Sequence, residues 1–291
     1  MLNCLLDDLA FLFGLTCGRG SLDYSEKSLK INVPFKSIEA VGINKKYNQK
    51  DKLIIGLDYM VNLLGEFTGK HVRKISSGSA ITISILFQSN THTWQSLTAF
   101  FNGRDSFQNF MLPEDFFSAP RNLKLNFLRG FSDVAGFIRK SNYDRSKRYR
   151  VYLEIPNANW HLPIQICRLL QDPEIRVPVQ TITWGHPNIR GKGNWAKEHQ
   201  IKIYTEYFGK IGFTIDFKNE ILEELANANI SNFGFKQPSF CNPMNKKILK
   251  QKIYTDSVNS SNIHESIRGQ HFNAFWQICT SLGCYKCKRQ A

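Results

Sequence analysis

Alternation of apolar and polar residues marks strands at residues 28–35 (SLKINVPF) and 148–155 (RYRVYLEI), and two further strands read at 80–87 (AITISILF) and 199–204 (HQIKIY). Helical spacing replaces alternation at residues 51–66, where Leu53, Ile54, Leu57, Met60, Val61 and Leu64 share one stripe, and at 160–170, with Leu162, Ile166 and Leu169. Further helical stretches fall at 94–101 and 113–117, then at 207–211 and 218–228. Each half therefore runs helix, strand, helix, strand, helix. One more strand per half is weakly patterned, with 181–184 the best candidate in the second. No Gly/Ser-rich or Pro-rich linker separates the halves, and 113–125 is amphipathic enough to pack.

A repeat underlies this order. Residues 12–22 (LFGLTCGRGSL) are echoed at 128–138 (LRGFSDVAGFI), 116 residues later, and each copy is followed by a turn and an alternating strand. Gly14 and Gly130 hold the third position of each copy. Gly18 and Gly20, and then Ala135 and Gly136, continue a line of small residues that lets two helices approach backbone to backbone.

With Phe127–Gly130 (FLRG), Asp133 and Gly136 as its more specific copy, this pair of motifs resembles the LAGLIDADG homing endonucleases over about residues 5–230. The resemblance implies an α+β fold of two pseudo-symmetric repeats, at 1–118 and 119–235. The motif helices would pair, and each repeat would carry an antiparallel, saddle-shaped sheet over the DNA major groove. A monomer with internal pseudo-twofold symmetry is expected.

The family's metal-binding acids sit at the eighth motif position, which here holds Arg19 and Ala135. Arginine repels a divalent cation and alanine offers it no oxygen. Cys17 and Asp133 hold the sixth position. Asp133 is the candidate substitute acid, with Asp7, Asp8 or Asp23 as its partner. The reading is sequence-specific binding of double-stranded DNA without cleavage by this chain, as a transcriptional regulator or as the recognition module of a restriction system with a separate nuclease or effector. Two alternatives stand beside it: a site-specific DNA endonuclease using Mg²⁺ and relocated acids, and an RNA-binding splicing cofactor. No nucleophile elbow, P-loop or dinucleotide fingerprint is present.

Charge agrees with a polyanionic partner. Thirty-eight Lys and Arg face 24 Asp and Glu, a net +14 over 291 residues. Lys27, Lys30 and Lys36 flank the first strand, Arg139, Lys140, Arg145, Lys147, Arg148 and Arg150 crowd the third, and Arg190, Lys192, Lys197 and Lys202 lie around the fourth. With Arg19, which could grip a phosphate, these are the candidate DNA contacts.

After residue 235 nine basic residues face two acidic ones, which marks 236–291 as a small basic helical extension. Cys284 and Cys287 form a C-x-x-C there. Cys279 and Cys241, or else His264 or His271, could complete a tetrahedral zinc site. Free thiols or a redox pair are the other readings. No stretch approaches the roughly 20 apolar residues of a membrane span, and an intracellular place, in cytoplasm or in a nucleoid or organelle matrix, is expected.

Overall fold

The computed structural model describes residues 7–140, 148–156, 158–159, 161–183 and 198–235, with the backbone alone at 139, 140 and 181–183. At its centre two helices lie side by side. Every residue of α1 (Asp7–Arg19) from Leu9 onward is buried, as expected of a helix that is apolar on all sides. Its partner is α6 (Arg121–Ala135). The two run in the same direction: Asn122 Nδ2 donates to Asp7 Oδ1 at 2.6 Å near their starts, and Gly18 meets Val134 and Ala135 near their ends.

Their approach is reciprocal. A Cβ on Gly14 would stand 2.0 Å from the Phe127 carbonyl oxygen, and one on Gly130 2.2 Å from that of Phe11. Residues 11 and 127 are separated by the same 116 positions as 14 and 130. Thr16 Oγ1 donates to Leu12 O at 2.8 Å, and Ser132 Oγ, again 116 residues on, donates to Leu128 O at 2.6 Å. These back-bonds satisfy hydroxyls that the contact buries.

Each helix runs straight into a strand. β1 (Gly20–Asp23) and β7 (Gly136–Lys140) begin at a glycine because a side chain there would strike the preceding turn, 2.6 Å from Thr16 O or 2.5 Å from Ser132 O. The first sheet adds β2 (Ser28–Pro34), β5 (Val72–Ser76) and β6 (Ala80–Leu86) in the order β1-β2-β6-β5, with all pairs antiparallel. The second adds β8 (Tyr149–Pro156), β9 (Thr181–Thr183) and β10 (Glu198–Tyr204), and repeats that order as β7-β8-β10-β9. Leu29, Ile31 and Val33 with Ile81, Ile83 and Ile85 form the inner face of one sheet, and Val151, Leu153 and Ile155 with Ile201 and Ile203 that of the other.

Two strands break the parallel between halves. β3 (Ala40–Val41) and β4 (Lys46–Tyr47) form a hairpin that joins the outer edge of β7, Ala40 pairing with Ile138 in parallel. A segment from the first half thus extends the second sheet across the boundary expected from the repeats. The strand expected at 28–35 stops at Pro34, where Phe35–Ile38 turns into the short helix α2. The helix expected at 51–66 is two, α3 (Lys50–Gly56) and α4 (Asp58–Thr68), separated where Gly56 presses on the Phe217 ring.

A phenylalanine cluster fills the space beside the helix pair. Phe13 stacks on Phe100 at 4.1 Å and Phe101 on Phe110 at 4.0 Å, with Phe116 against Phe127 at 5.1 Å. These rings come from α1, α5 (His92–Phe101), the connection after it, the 3-10 turn Glu114–Ser118 and α6. The connection is pinned to α7 (Leu162–Leu170) by Gln165, whose amide bonds both the N–H and the carbonyl of Leu112 at 2.9 Å. α8 (Thr205–Phe208) and α9 (Asp216–Phe233) complete the second half.

Candidate nucleic-acid interface

Alternation along a strand sends every second side chain away from the helices, and pairing register decides which of those meet. On the first sheet three rows result. Ser21, Lys30, Ser84 and Arg73 line up across all four strands, Asn32, Thr82 and Ile75 form the next row, and Asp23, Ser28 and Leu86 the one before. Lys30, Asn32 and Arg73 are exposed, Ser84 and Thr82 half-buried, and Ile75 and Leu86 are 60% and 56% exposed. Between the rows runs an open groove of about 330 Å³ lined by Glu26, Ser28, Lys30, His71, Arg73, Ser84 and Leu86. Lys74 points the other way, pairing with Asp58 of α4 and donating to Ile54 O at 3.1 Å.

The second sheet has the same register and a different surface. Gly20 pairs with Ile31 as Gly136 does with Leu153, and Ile31 with Ile83 as Leu153 does with Ile201. Tyr152 therefore occupies the place of Lys30, Glu154 that of Asn32, Gln200 that of Thr82 and Phe137 that of Ser21. All four are at most 7% exposed. Phe137 stacks on Tyr152 at 5.0 Å with the rings nearly parallel, and Gln200 Nε2 donates to Glu154 Oε1 at 3.0 Å.

Where α1 ends, a charged cluster bridges the halves. Arg19, buried, lies 3.6 Å from both Glu154 and Glu198. Lys36, from α2 and half-exposed, lies 2.8 Å from Glu154 and 3.0 Å from Glu198. Burial, and then the neighbouring Glu198, pushes the Glu154 carboxyl above its ordinary range. Burial alone would raise Glu198 too, but its hydrogen bond with Glu154 and the charges of Arg19 and Lys36 hold it below. Two carboxylates thus meet two cations, and the cluster is neutral when all four are ionised. A guanidinium repels a divalent cation and an alanine offers it no oxygen, so Arg19 and Ala135 do not fit such an ion.

The proposed substitute acid is committed elsewhere. Asp133 is fully buried and accepts the Thr214 N–H at 3.0 Å, before α9. Burial pushes its carboxyl up to about 6. Lys218 of α9 donates to the carbonyls of Gly136 at 2.9 Å, Asp133 at 3.1 Å and Ser132 at 3.4 Å, which caps the C-terminus of α6. Asp7 and Asp8 stand at the opposite end of α1, about 18 Å away by helical rise. Asp23 holds its own turn, accepting from the N–H groups of Ser25 and Glu26. No pair among these acids shares a site.

Of the candidate DNA contacts, Lys30 is on the open face and Lys27 is in the adjoining turn at φ 54°. Arg19 and Lys36 serve the cluster. Arg148 is spent on packing, with its guanidinium 4.8 Å from the Phe233 ring and 3.5 Å from Glu206. Arg150 is buried 5.5 Å from the Tyr204 ring, and Lys202 lies 5.7 Å from that of Tyr152. Strand alternation tells which residues share a face, but not whether that face is open. Arg139 and Lys140 are placed on β7 by backbone alone. Arg145, Lys147, Arg190, Lys192 and Lys197, with Cys241, His264, His271, Cys279, Cys284 and Cys287, lie outside the described residues. Among the described residues no group of three or more His, Cys, Asp or Glu is placed to hold a metal, and no helix is long and apolar enough to cross a membrane.

Arg73, Asn32, Thr82, Ser84, Glu154 and Glu198 were not singled out by sequence reasoning. Arg73 sits on the weakly patterned strand, while Glu154 was legible as an acid in an otherwise apolar run.

Neither family models nor curated proteins match the chain. Among solved structures it is similar to the N-terminal LAGLIDADG domain of DUF199/WhiA, at 15% identity and a TM-score of 0.39, covering 75% of this chain and 80% of that one. It is also similar to full-length DUF199/WhiA from Thermatoga maritima, at 13% identity and 0.43, covering 90% and 71%. A third likeness is to I-DmoI in complex with DNA and Mn, at 13% identity and 0.36, covering 76% and 96%.

Proposed function

We propose that this chain binds double-stranded DNA with sequence preference and does not cut it. One observation carries the reading. The open face of the first sheet sets Lys30, Arg73, Asn32, Thr82 and Ser84 beside one another, on a chain with a net charge of +14. A groove wall of base edges asks for such a mixture, since Arg and Lys bond guanine, Asn bonds adenine and hydroxyls bond either. A surface that met phosphates alone would need only cations. The two repeats and the helix seam supply a rigid frame for that face, and the cation-filled cluster at Arg19 argues against metal-dependent hydrolysis there.

The chain then works as the recognition part of a larger process, either a regulator or the specificity element for a nuclease or other effector carried elsewhere. An endonuclease reading would rest on the Glu154–Glu198 pair, and it requires both Lys36 and the buried Arg19 to leave those carboxylates before a metal could bind.

Selection from random duplexes decides between them. Purified full-length chain is expected to enrich particular duplexes over heparin and structured RNA competitors, and those duplexes are expected to stay intact with Mg²⁺ or Mn²⁺. Metal-dependent nicking that Glu154→Gln abolishes would establish the endonuclease reading. Preferential retention of structured RNA would overturn the duplex reading altogether.

A further inference from the structure

We infer that recognition is one-sided: the first sheet reads base edges, whereas Phe137, Tyr152, Glu154 and Gln200, the described register matches of Ser21, Lys30, Asn32 and Thr82, are closed to them, so the preferred DNA is a single short half-site rather than two. The inference rests on the duplex-binding reading and adds which part of the protein sets specificity.

Equal register makes the comparison position by position. Where the first sheet offers Lys30, the second has Tyr152, stacked on Phe137. Where the first offers Asn32 beside Thr82, the second has Glu154 bonded to Gln200 and held by Lys36 and Arg19. A side chain reads a base only if its polar atoms can leave their present partners and be repaid by the base edge. Glu154 fails that test twice, since it is buried and already paired with Arg19 and Lys36, which it shares with Glu198. Leu86 of the first sheet stands more than half exposed, whereas its register match Tyr204 is 3% exposed and lies under the guanidinium of Arg148.

The apolar members of the first face strengthen the point. Leu86 and Ile75 end two of the first sheet's rows and are more than half exposed. Apolar side chains beside Asn and Arg match the thymine methyl that lies in the major groove beside the polar base edges. Three rows along the strands span roughly 14 Å, and base pairs rise about 3.4 Å, so the face covers roughly four or five base pairs.

The test is selection of duplexes by the full chain, followed by measured preference at each position for the wild type and for Asn32→Ala, Arg73→Ala and Tyr152→Phe. The variants' thermal melting is recorded to confirm that each is folded. One contiguous run of roughly four to six strongly preferred positions is expected. Asn32→Ala and Arg73→Ala are each expected to flatten at least one position in it by roughly tenfold or more. Tyr152→Phe is expected to leave the profile unchanged. Two runs of comparable preference, or a profile altered by Tyr152→Phe and indifferent to Asn32→Ala, would overturn the inference while leaving duplex binding intact. No enriched duplex at all would overturn both.

Discussion

A methyl group on Gly14 would meet the Phe127 carbonyl at 2.0 Å, and backbone, unlike a side chain, cannot rotate aside. Gly14→Ala and Gly130→Ala are each expected to force the helices apart and to destabilise the fold by about 1–3 kcal/mol or more in urea unfolding. Gly65, on α4, is the control. Its nearest neighbour would be 3.7 Å from a new Cβ, so Gly65→Ala is expected to stabilise by up to about 1 kcal/mol through helix propensity. A loss at Gly65 equal to that at Gly14 would mean that the seam is not what makes glycine necessary. Buried charge sets a second expectation at this scale. Burial raises Asp133 from 3.8 to about 6 and lowers Lys218 from 10.5 to about 7. Between about 4 and 6 the folded state therefore holds a proton on Asp133 that the unfolded state releases, and stability falls as pH rises. Above about 7 the unfolded state keeps the Lys218 proton that the folded state gives up, so stability rises again. The pair's contribution is lowest between about 6 and 7, and the combined change Asp133→Asn with Lys218→Met is expected to flatten that dip in denaturation midpoints measured from pH 4 to 9.

The hairpin of β3 and β4 shows how an element can be held by side chains when its own ladder is two residues long. Glu224 of α9 accepts the N–H of Ile43 at 3.2 Å, the N–H of Asn44 at 2.9 Å and the Asn44 side-chain amide at 2.8 Å. Glu220, one turn earlier, pairs with Lys45 and accepts from Tyr47 Oη at 2.6 Å. Glu224→Ala is expected to speed amide exchange at residues 43 and 44 by about tenfold or more, with protection in β8 and β10 unchanged, because the loss of bonds to a charged group is worth about 1.5–3 kcal/mol locally. Uniform loss of protection would show that the hairpin is part of the global core. Elements of this kind also explain what was legible beforehand. The strands β2 and β6 could be read because their burial alternates over seven residues, whereas β8, β10 and α1 are buried almost throughout and were legible from their apolar content and from the repeated motif. The hairpin could not, since two residues carry no period, and its place on β7 is fixed by contacts to α9 nearly 180 residues away. The open face was legible only in part: Lys30 stood out by charge, but Arg73 lay on a strand with four of its five residues polar or exposed, and no local pattern announces that the outer face of the second sheet is buried.

At the scale of the whole molecule, charge and shape divide the labour of binding. On the proposed reading, net positive charge draws any polyanion, whereas the rows of the first sheet distinguish one duplex from another. The two contributions respond differently to salt. Each phosphate neutralised releases counterions, so the logarithm of affinity falls linearly with the logarithm of salt by about 0.9 per contact on duplex DNA. On that reading Lys27, in the turn beside the open face, meets a phosphate and Asn32, within the rows, a base. Lys27→Ala is therefore expected to lower the salt slope by about one contact while weakening all duplexes alike. Asn32→Ala is expected to keep the wild-type slope and to weaken the preferred duplex far more than a scrambled one. Fluorescence anisotropy titrations of both duplexes between 50 and 200 mM salt, a range of roughly the width over which such slopes are read, check the two together. A slope that changes equally in both variants would mean that the face contacts phosphates throughout, and a slope near zero in the wild type would remove polyanion binding from the account of why this chain is so basic.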